Sequence, residues 1–480
     1  MDQPGIHIFL AEPASNSLES KHSNEKKSNS SRNFLPLRYV KQVAKSLWKF
    51  AKFTCPGAII SVAYIDPDNY QSDLTAGALF EYKLLCAVVF SNLAAVFLRA
   101  LSTKLGCVTG MDLAQMNRAH LYPWVNIALW ILAEGAIIWR ILDKITLIAG
   151  CMISVSDTLF IVLFYEQNRS IQRLRFFEMF TSIFVIAIFI MFCIELSFIT
   201  APAGQVFKSL LPSKTIFTGG NLMPHTIYLG SGLVRARMRE GDHRNEKYHE
   251  ARTSSSRFAI ILYRPTLSAI KSCMSYTIAE LCITLFVVAN FVNSAILIVA
   301  AASLSEEHGD ADLPGMYHLF VEGIGQAAGT IFVVGLLFSG VSAGIVATMA
   351  GQLICEGAMN WRMSPFLRRL VTRCIVIVPT VVIAAATGQR RLKETLMARN
   401  VVLSVSLIFI TAPLVWYTSC ERYMGVGVED GDGERGVRGN TISLANGWVV
   451  TGIGWLLWFV VAGMNVALLA FLGLGMGGDD

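Results

Sequence analysis

Two apolar stretches of this chain are interrupted by proline beside polar side chains, and this feature most limits the folds open to it. The first break, Asp66–Asn69, lies inside the apolar run Cys55–Phe80. The second, Met223–His225, lies inside the shorter run Ile216–Val234. A proline frees backbone carbonyls that hydrocarbon cannot satisfy, and carboxylates are rare there, so such breaks persist where they line a cavity.

The composition predicts an all-α, polytopic membrane protein. Of 480 residues, 54% are hydrophobic and 15% charged, and the mean hydropathy is +0.52, which excludes an ordinary soluble domain. The ten cysteines include no CxxC pair, so neither a disulfide framework nor a zinc site is indicated. The net charge of +6 is concentrated in loops and gives no indication of nucleic-acid binding.

Eleven apolar spans are predicted, most with the ~20 residues that a bilayer requires. The third and sixth are short. The spans are Cys55–Phe80, Leu84–Leu101, Trp124–Trp139, Ile145–Tyr165, Phe176–Ile199, Ile216–Val234, Met274–Leu304, Ala327–Cys355, Leu370–Ala386, Val401–Ser419 and Trp448–Leu474.

Basic residues set the predicted orientation. The N-terminal tail and the loops after spans 4, 6 and 8 are basic and fall on one side, the cytosol by the positive-inside rule. The loop after span 9 is an exception. Residues 1–53 are expected to be a disordered cytosolic tail, with either a surface helix or a solvated linker over 34–53. Residues 54–475 form the predicted transmembrane domain, and 235–265 and 420–446 are predicted cytosolic loops, with a flexible linker over 425–438.

The two broken spans lie five spans apart, as in a five-plus-five inverted repeat, whose broken helices hold a transporter's substrate. Asp66, Asn69 and a carbonyl near Ala63 offer hard oxygen, and Met223 offers a soft thioether. One sulfur among oxygens favours Mn²⁺, Fe²⁺ or softer ions over Ca²⁺ and Mg²⁺. His225 is either a proton relay or a hydrogen-bonded structural histidine.

Four segments carry a resemblance to a known family. They are Ala63–Tyr70, Met223–Leu229, Tyr263–Ser272 and Ser342–Glu356, the last with Thr348-Met349-Ala350-Gly351-Gln352. These resemble the signature motifs of the Nramp family of proton-coupled divalent-metal transporters, which have a LeuT-like fold. The likeness extends from about residue 45 to 475 and is strongest with the fungal branch.

The resemblance implies specific ligands and no bound cofactor, since the metal ions and protons are the transported species. The family's metal ligands fall on Asp66, Asn69 and Met223, with carbonyls at Ala63 and Gly220.

It also implies roles for other polar residues. Glu134 matches a glutamate of the proton route, which would also include Asp66 and His225. Asn293 and Asn400 match outer-gate amides, although interhelical hydrogen bonding is an equal alternative for both.

The chain departs from the family pattern at several places. Asp68 replaces a glycine, which puts a second carboxylate beside Asp66, and Gly220 replaces an alanine. A segment is missing after Trp139, leaving a third span of about 25 Å at 1.5 Å per residue. The first half of span 6 is also incomplete. Skipped exons, a wrong gene model or a degenerate paralogue would each produce these gaps.

These features lead to a functional hypothesis. The chain is expected to move Mn²⁺ or Fe²⁺ with protons toward the cytosol by alternating access, in the plasma membrane or an endosomal or vacuolar membrane. The rival is a transport-inactive paralogue or a metal-sensing receptor. A carrier of organic solutes is less favoured, because Asp66 would repel a substrate carboxylate, and no nucleophile–base set indicates an enzyme.

Overall fold

The computed structural model describes most of the predicted transmembrane domain. The described residues are 67–142, 171–199, 201–211, 223–244, 263–303, 313–323, 325–359, 371, 374, 392–427 and 441–473. All belong to the compact unit Thr54–Asp480. The predicted tail 1–53, the fourth span and nearly all of the ninth span lie outside the described residues.

Helices make up most of the described chain, together with one two-stranded antiparallel sheet. The helices are α1 (Pro67–Phe80), α2 (Leu85–Thr109), α3 (Leu113–His120), α4 (Pro123–Leu142), α5 (Ile171–Phe198), α6 (Ala203–Lys208), α7 (His225–Arg244), α8 (Leu267–Thr284), α9 (Asn290–Ser303), α10 (Leu313–Gly323), α11 (Gln326–Met359), α12 (Leu392–Ser419), α13 (Glu421–Met424) and α14 (Trp448–Gly473). The strands are β1 (Gly425–Gly427) and β2 (Thr441–Ser443).

Five helical stretches of the described chain are long and apolar enough to cross a bilayer. They are Asn69–Thr109, Leu267–Ala302, Gln326–Met359, Val401–Ser419 and Trp448–Ala467, and Pro123–Ile137 and Val185–Ser197 are shorter apolar helices. The prediction of an all-α membrane protein is therefore confirmed. The count of eleven spans stays a prediction, because several of them include residues outside the description.

A helix begins at the second predicted proline break. Helix α7 starts at His225, directly after Pro224. At the first break, the description starts at Pro67, and the residues from Pro67 to Phe80 are helical. Proline is well suited to the first turn of a helix, where its missing N–H would have no acceptor.

Several element boundaries differ from those predicted. Helix α4 extends to Leu142 and so measures about 30 Å at 1.5 Å per residue, longer than the third span read from the sequence. Helix α7 continues to Arg244, ten residues into the predicted loop 235–265. Strand β1 occupies the start of the predicted flexible linker, because Val426 pairs with Ile442.

The extension of α7 has a cause in its side chains. The Arg237 guanidinium lies 3.1 Å from the Glu280 carboxylate of α8. Asp242 accepts hydrogen bonds from the Thr266 hydroxyl at 2.5 Å and from the Thr266 backbone N–H at 3.2 Å. The charged residues that the sequence analysis placed in a solvated loop thus have partners on or next to α8. These contacts stabilise the helical form of this polar segment.

Glycines allow the helices around the breaks to approach closely. A Cβ on Gly106 of α2 would lie 2.3 Å from the carbonyl oxygen of Ser231 in α7. A Cβ on Gly77 of α1 would lie 2.6 Å from the carbonyl oxygen of Leu297 in α9. Because real Cβ atoms do not approach so closely, both helix pairs require glycine at these crossings.

Candidate metal-binding site

Asn69 is the described ligand candidate of the first break. It is the third residue of α1, and its side chain is 4% exposed. Ala63 and Asp66 lie outside the described residues. Asp68 is the second residue of α1, and its side chain also lies outside the description. The structure therefore places one buried amide at the start of α1, and the carboxylate ligand remains a prediction from the sequence.

Met223 holds the matching position at the second break. Its side chain is 7% exposed, and its carbonyl oxygen accepts a 2.6 Å hydrogen bond from the Thr226 hydroxyl. The next carbonyl, that of Pro224, accepts from the backbone N–H of Ile227 at 3.1 Å. The carbonyls of Met223 and Pro224 thus have local donors, and the thioether is the group of Met223 that the sequence predicts as a metal ligand. Gly220 lies outside the described residues.

The proton-relay candidate His225 is completely buried at the first position of α7. Two residues later, the Ile227 carbonyl oxygen accepts a short hydrogen bond from the Ser102 hydroxyl of α2. One turn before Ser102 lies Arg99, whose exposure is 0%. Helix α2 thus places a buried guanidinium near the start of α7, and a buried cation requires anionic or hydrogen-bonding partners.

Glu134 lies against the span-8 signature motif. Its Oε1 atom accepts a 2.9 Å hydrogen bond from the Cys355 thiol, whose sulfur lies 3.3 Å from the Trp130 indole nitrogen. A Cβ on Gly351 would lie 3.7 Å from Glu134 Oε2. Because Glu134 is 3% exposed, this carboxyl group lies buried between α4 and α11. The structure thereby joins the predicted proton-route residue to a second family motif.

Asn293 is part of a chain of amides between α2 and α9. Its Nδ2 atom lies 3.5 Å from Asn92 Oδ1, and Asn92 Nδ2 donates to Asn290 Oδ1 at 3.3 Å. These bonds match the interhelical alternative for Asn293, and its outer-gate role stays a prediction. Asn400 belongs to α12, but its side chain lies outside the description.

The described donors at the two breaks are neutral. Among the described residues there is no group of three or more His, Cys, Asp or Glu side chains that could hold a metal. Asn69 supplies an amide oxygen and Met223 a sulfur, so the charge that binds a cation would come from Asp66.

Sequence reasoning missed Arg99, Cys355, Asn92 and Asn290. Each had a detectable signal, because each is a polar or reactive side chain inside an apolar run, where such residues are costly. The partners of Cys355, Asn92 and Asn290 belong to other spans and are distant in sequence. For this reason a residue-by-residue reading could not pair them.

Comparison with known proteins gives consistent results. The profile of the family described as "Natural resistance-associated macrophage protein-like" (Nramp) matches residues 57–431. The manganese transporter pdt1 of Schizosaccharomyces pombe is 39% identical over 468 residues, covering 92% of this chain and 88% of that protein. The iron transporter SMF3 of Saccharomyces cerevisiae is 41% identical over 414 residues, covering 80% of this chain and 85% of that protein.

A solved structure agrees with these sequence matches. The crystal structure of the Eremococcus coleocola manganese transporter, in complex with an aromatic bis-isothiourea compound, superposes with a TM-score of 0.68 at 26% identity. The superposition covers 91% of this chain and 90% of that one. The chain therefore belongs to the Nramp family of membrane metal-ion transporters and has their LeuT-like fold.

Proposed function

We propose that this protein carries Mn²⁺, and Fe²⁺ as a second substrate, toward the cytosol by proton-coupled alternating access. The observation that carries the proposal is the burial of Asn69, two residues after Pro67, and of Met223, directly before Pro224, next to the apolar helices α1 and α7. An amide oxygen and a thioether sulfur suit a transition-metal ion better than Ca²⁺ or Mg²⁺. The ligand set proposed here is Asp66, Asn69 and Met223 with the carbonyls of Ala63 and Gly220.

Relatives support the choice of ion. The S. pombe protein is named a manganese transporter, and S. cerevisiae proteins of 37% and 41% identity are named manganese and iron transporters. These names cover both ions of the proposal. The metal is a substrate in this scheme, so it binds and leaves in each cycle.

Proton movement is assigned to Asp66, His225 and Glu134. His225 and Glu134 are both buried in helices next to the two breaks or the span-8 motif. Buried titratable groups inside a membrane are typical of proton relays. Asn293 and Asn400 are proposed outer-gate residues, and the hydrogen bond of Asn293 to Asn92 gives that gate a point of attachment to α2.

The orientation follows from loop charge, with the N-terminus and the basic loops in the cytosol. The metal would enter from the outer or luminal side of a plasma, endosomal or vacuolar membrane.

Uptake of radioactive manganese into cells that lack their own manganese transporters tests the proposal. We expect the wild-type chain to restore uptake and Asp66→Ala to abolish it, since the substitution removes the charge from the ligand set. Equal membrane levels of the two proteins serve as the control. Wild-type uptake at the level of empty-vector cells would contradict transport and favour the inactive or sensing alternative, which the extra carboxylate of Asp68 supports.

A further inference from the structure

Glu195 is a buried acid that the proposed transport scheme does not use. It lies in α5 four residues before the end of the apolar span Phe176–Ile199, at the outer end in the predicted orientation. Its side chain is 2% exposed. Within the described part of the chain, neither of its carboxylate oxygens has a hydrogen-bond partner. A carboxyl group so placed calls for an explanation.

A residue next to the first break contacts α5 one turn before Glu195. This residue is Tyr70, which directly follows Asn69 in α1 and is 1% exposed. Its ring packs against Phe192 at a centroid distance of 5.2 Å, and Phe192 lies one turn before Glu195 on the same face of α5. The Tyr70 hydroxyl also has no hydrogen-bond partner among the described residues.

The surroundings of this pair are apolar. Tyr70 and Phe192 belong to a cluster with Leu74 of α1, Phe320 of α10 and Phe332 of α11. Neither α9 nor the part of α11 before Cys355 contains an acidic or basic residue. The elements of this cluster contribute several titratable groups, among them Tyr70 and the buried Asp73 from α1, the buried Arg99 from α2, the buried His225 from α7, the buried Glu280 from α8 and, at the edge of the cluster, Tyr317 from α10.

An ionised carboxylate without a hydrogen-bond donor is very costly in such surroundings, whereas the protonated acid is tolerated. The contact of α1 with α5 at Tyr70 and Phe192 is therefore more favourable when Glu195 carries a proton. Asn69 lies one residue from Tyr70, so this contact is next to the first break. Separation of the two helices would admit water and allow the carboxyl group to release its proton to that water.

We propose that Glu195 is a proton-operated latch, which lets α1 pack on α5 and closes the outer side of the metal site when the carboxyl group is protonated. This inference rests on the proposed transport function and adds a residue to it. The latch proton is taken from the outer solution on closing and returned to it on reopening. It therefore sets the rate of closure and adds nothing to the number of protons carried per metal ion.

Reconstituted proteoliposomes test the latch, with Mn²⁺ entry and internal acidification recorded in the same vesicles. Glu195→Gln imitates the protonated acid, so we expect the external-pH profile of its uptake rate to become shallower than that of the wild type, while the dependence that comes from the co-transported protons remains. The ratio of H⁺ to Mn²⁺ should stay at the wild-type value. Glu322→Gln is the matched control, since this acid on α10 is exposed, and it should keep the wild-type pH profile.

A second variant covers the case in which Glu195→Gln does not fold. Tyr70→Phe removes the hydroxyl group that would donate to the ionised carboxylate in the open state, so the pH profile of uptake should move to higher pH. An unchanged profile in either variant, or a changed H⁺ to Mn²⁺ ratio in Glu195→Gln, would overturn the latch. Wild-type vesicles without Mn²⁺ uptake would instead overturn the proposed function, and the latch with it.

Discussion

At the level of single residues, the first break offers an oxygen ligand and the second a sulfur ligand. Asn69 lies at the start of α1 and Met223 directly before α7, and both are buried. The carbonyl of Met223 accepts a hydrogen bond from Thr226, and the thioether is the group of Met223 that we propose as the ligand. Loss of this sulfur should therefore reduce the selectivity of the site more than it reduces the binding of Mn²⁺.

Met223→Ala tests that dependence. We expect the variant to lose discrimination against Ca²⁺ by a larger factor than it loses Mn²⁺ uptake, because Ca²⁺ prefers an all-oxygen shell. Competition of the two ions in an uptake assay measures both quantities. Met238→Ala is the matched control, a buried methionine farther along the same helix. Equal losses for both ions in Met223→Ala would argue against a sulfur ligand.

Cys355 is expected to hold Glu134 in position. Cys355→Ala removes the thiol that donates to Glu134 Oε1 at 2.9 Å, and loss of a partner from a buried polar group costs about 1–3 kcal/mol. Cys355→Ser keeps a donor and should lose less. Thermal unfolding in detergent, together with the H⁺ to Mn²⁺ ratio in vesicles, separates the variants. A serine variant as impaired as the alanine variant would indicate a packing role for the sulfur.

At the level of elements, the packing of α2 along α7 depends on glycine. In Gly106→Ala the new methyl group would lie 2.3 Å from the Ser231 carbonyl oxygen, so the helices must separate at a cost of about 1–3 kcal/mol. We expect a lower unfolding temperature and reduced uptake. Gly452→Ala in α14 is the control, because its methyl group meets nothing within 4 Å and should leave both unchanged. Wild-type stability for Gly106→Ala would contradict the close approach.

The ion pair between α3 and α7 should respond to pH. Asp112 lies at the N-cap of α3, 3.0 Å from the Arg235 guanidinium. Burial raises the pKa of Asp112, and the opposing effects of Arg235 and the Gln115 N–H do not cancel this. The stability that Asp112 contributes is therefore present at low pH and lost as the pH rises through its folded-state pKa.

Asp112→Asn removes this titration and keeps a residue suited to the N-cap. We expect the wild type to exceed the variant in unfolding temperature by a larger margin in acidic than in alkaline buffer. A margin that grows with pH would contradict this expectation, because it would show that Arg235 lowers the pKa of Asp112 more than burial raises it.

The sequence pattern predicted which segments are helical better than it predicted the residues at which the helices end. The period and length of the apolar runs were sufficient for α2, α5, α11 and α14, because a bilayer leaves little choice for such runs. Helix α7 was predicted ten residues too short, since its polar half is stabilised by Glu280 and Thr266 from another helix. Local charge could not reveal partners that the fold supplies.

At the level of the whole molecule, the family and the fold class were predictable, because the motifs lie in short continuous segments. The ligand set stays a prediction, and of its side chains the structure describes Asn69 and Met223, both buried. The supporting contacts of the site, such as Cys355 to Glu134 or Asn92 to Asn293, join residues about 200 positions apart. Such contacts arise from the packing of whole helices, which no single segment encodes.

The predicted orientation places the β1–β2 hairpin in the cytosol and α10 outside. If the protein lies in the plasma membrane, an impermeant thiol reagent should label His318→Cys in intact cells and Ser443→Cys only after permeabilisation. If it lies in an internal membrane, Ser443→Cys should become accessible first. Both positions are exposed, and the unsubstituted chain gives the background labelling. Labelling of both positions from one side would contradict the span arrangement.

Helix α7 has a mechanical consequence. It runs from the Met223-Pro224 break to Arg244 as one rod of 20 residues, about 30 Å long at 1.5 Å per residue. Pivoting at Pro224, such a lever would swing its far tip by about 5 Å for each 10° of tilt, from the same length. A tilt of α7 at Pro224 would thus move Arg244 much farther than the residues beside the break, and the contacts of α7 with α3 and α8 would have to change with it.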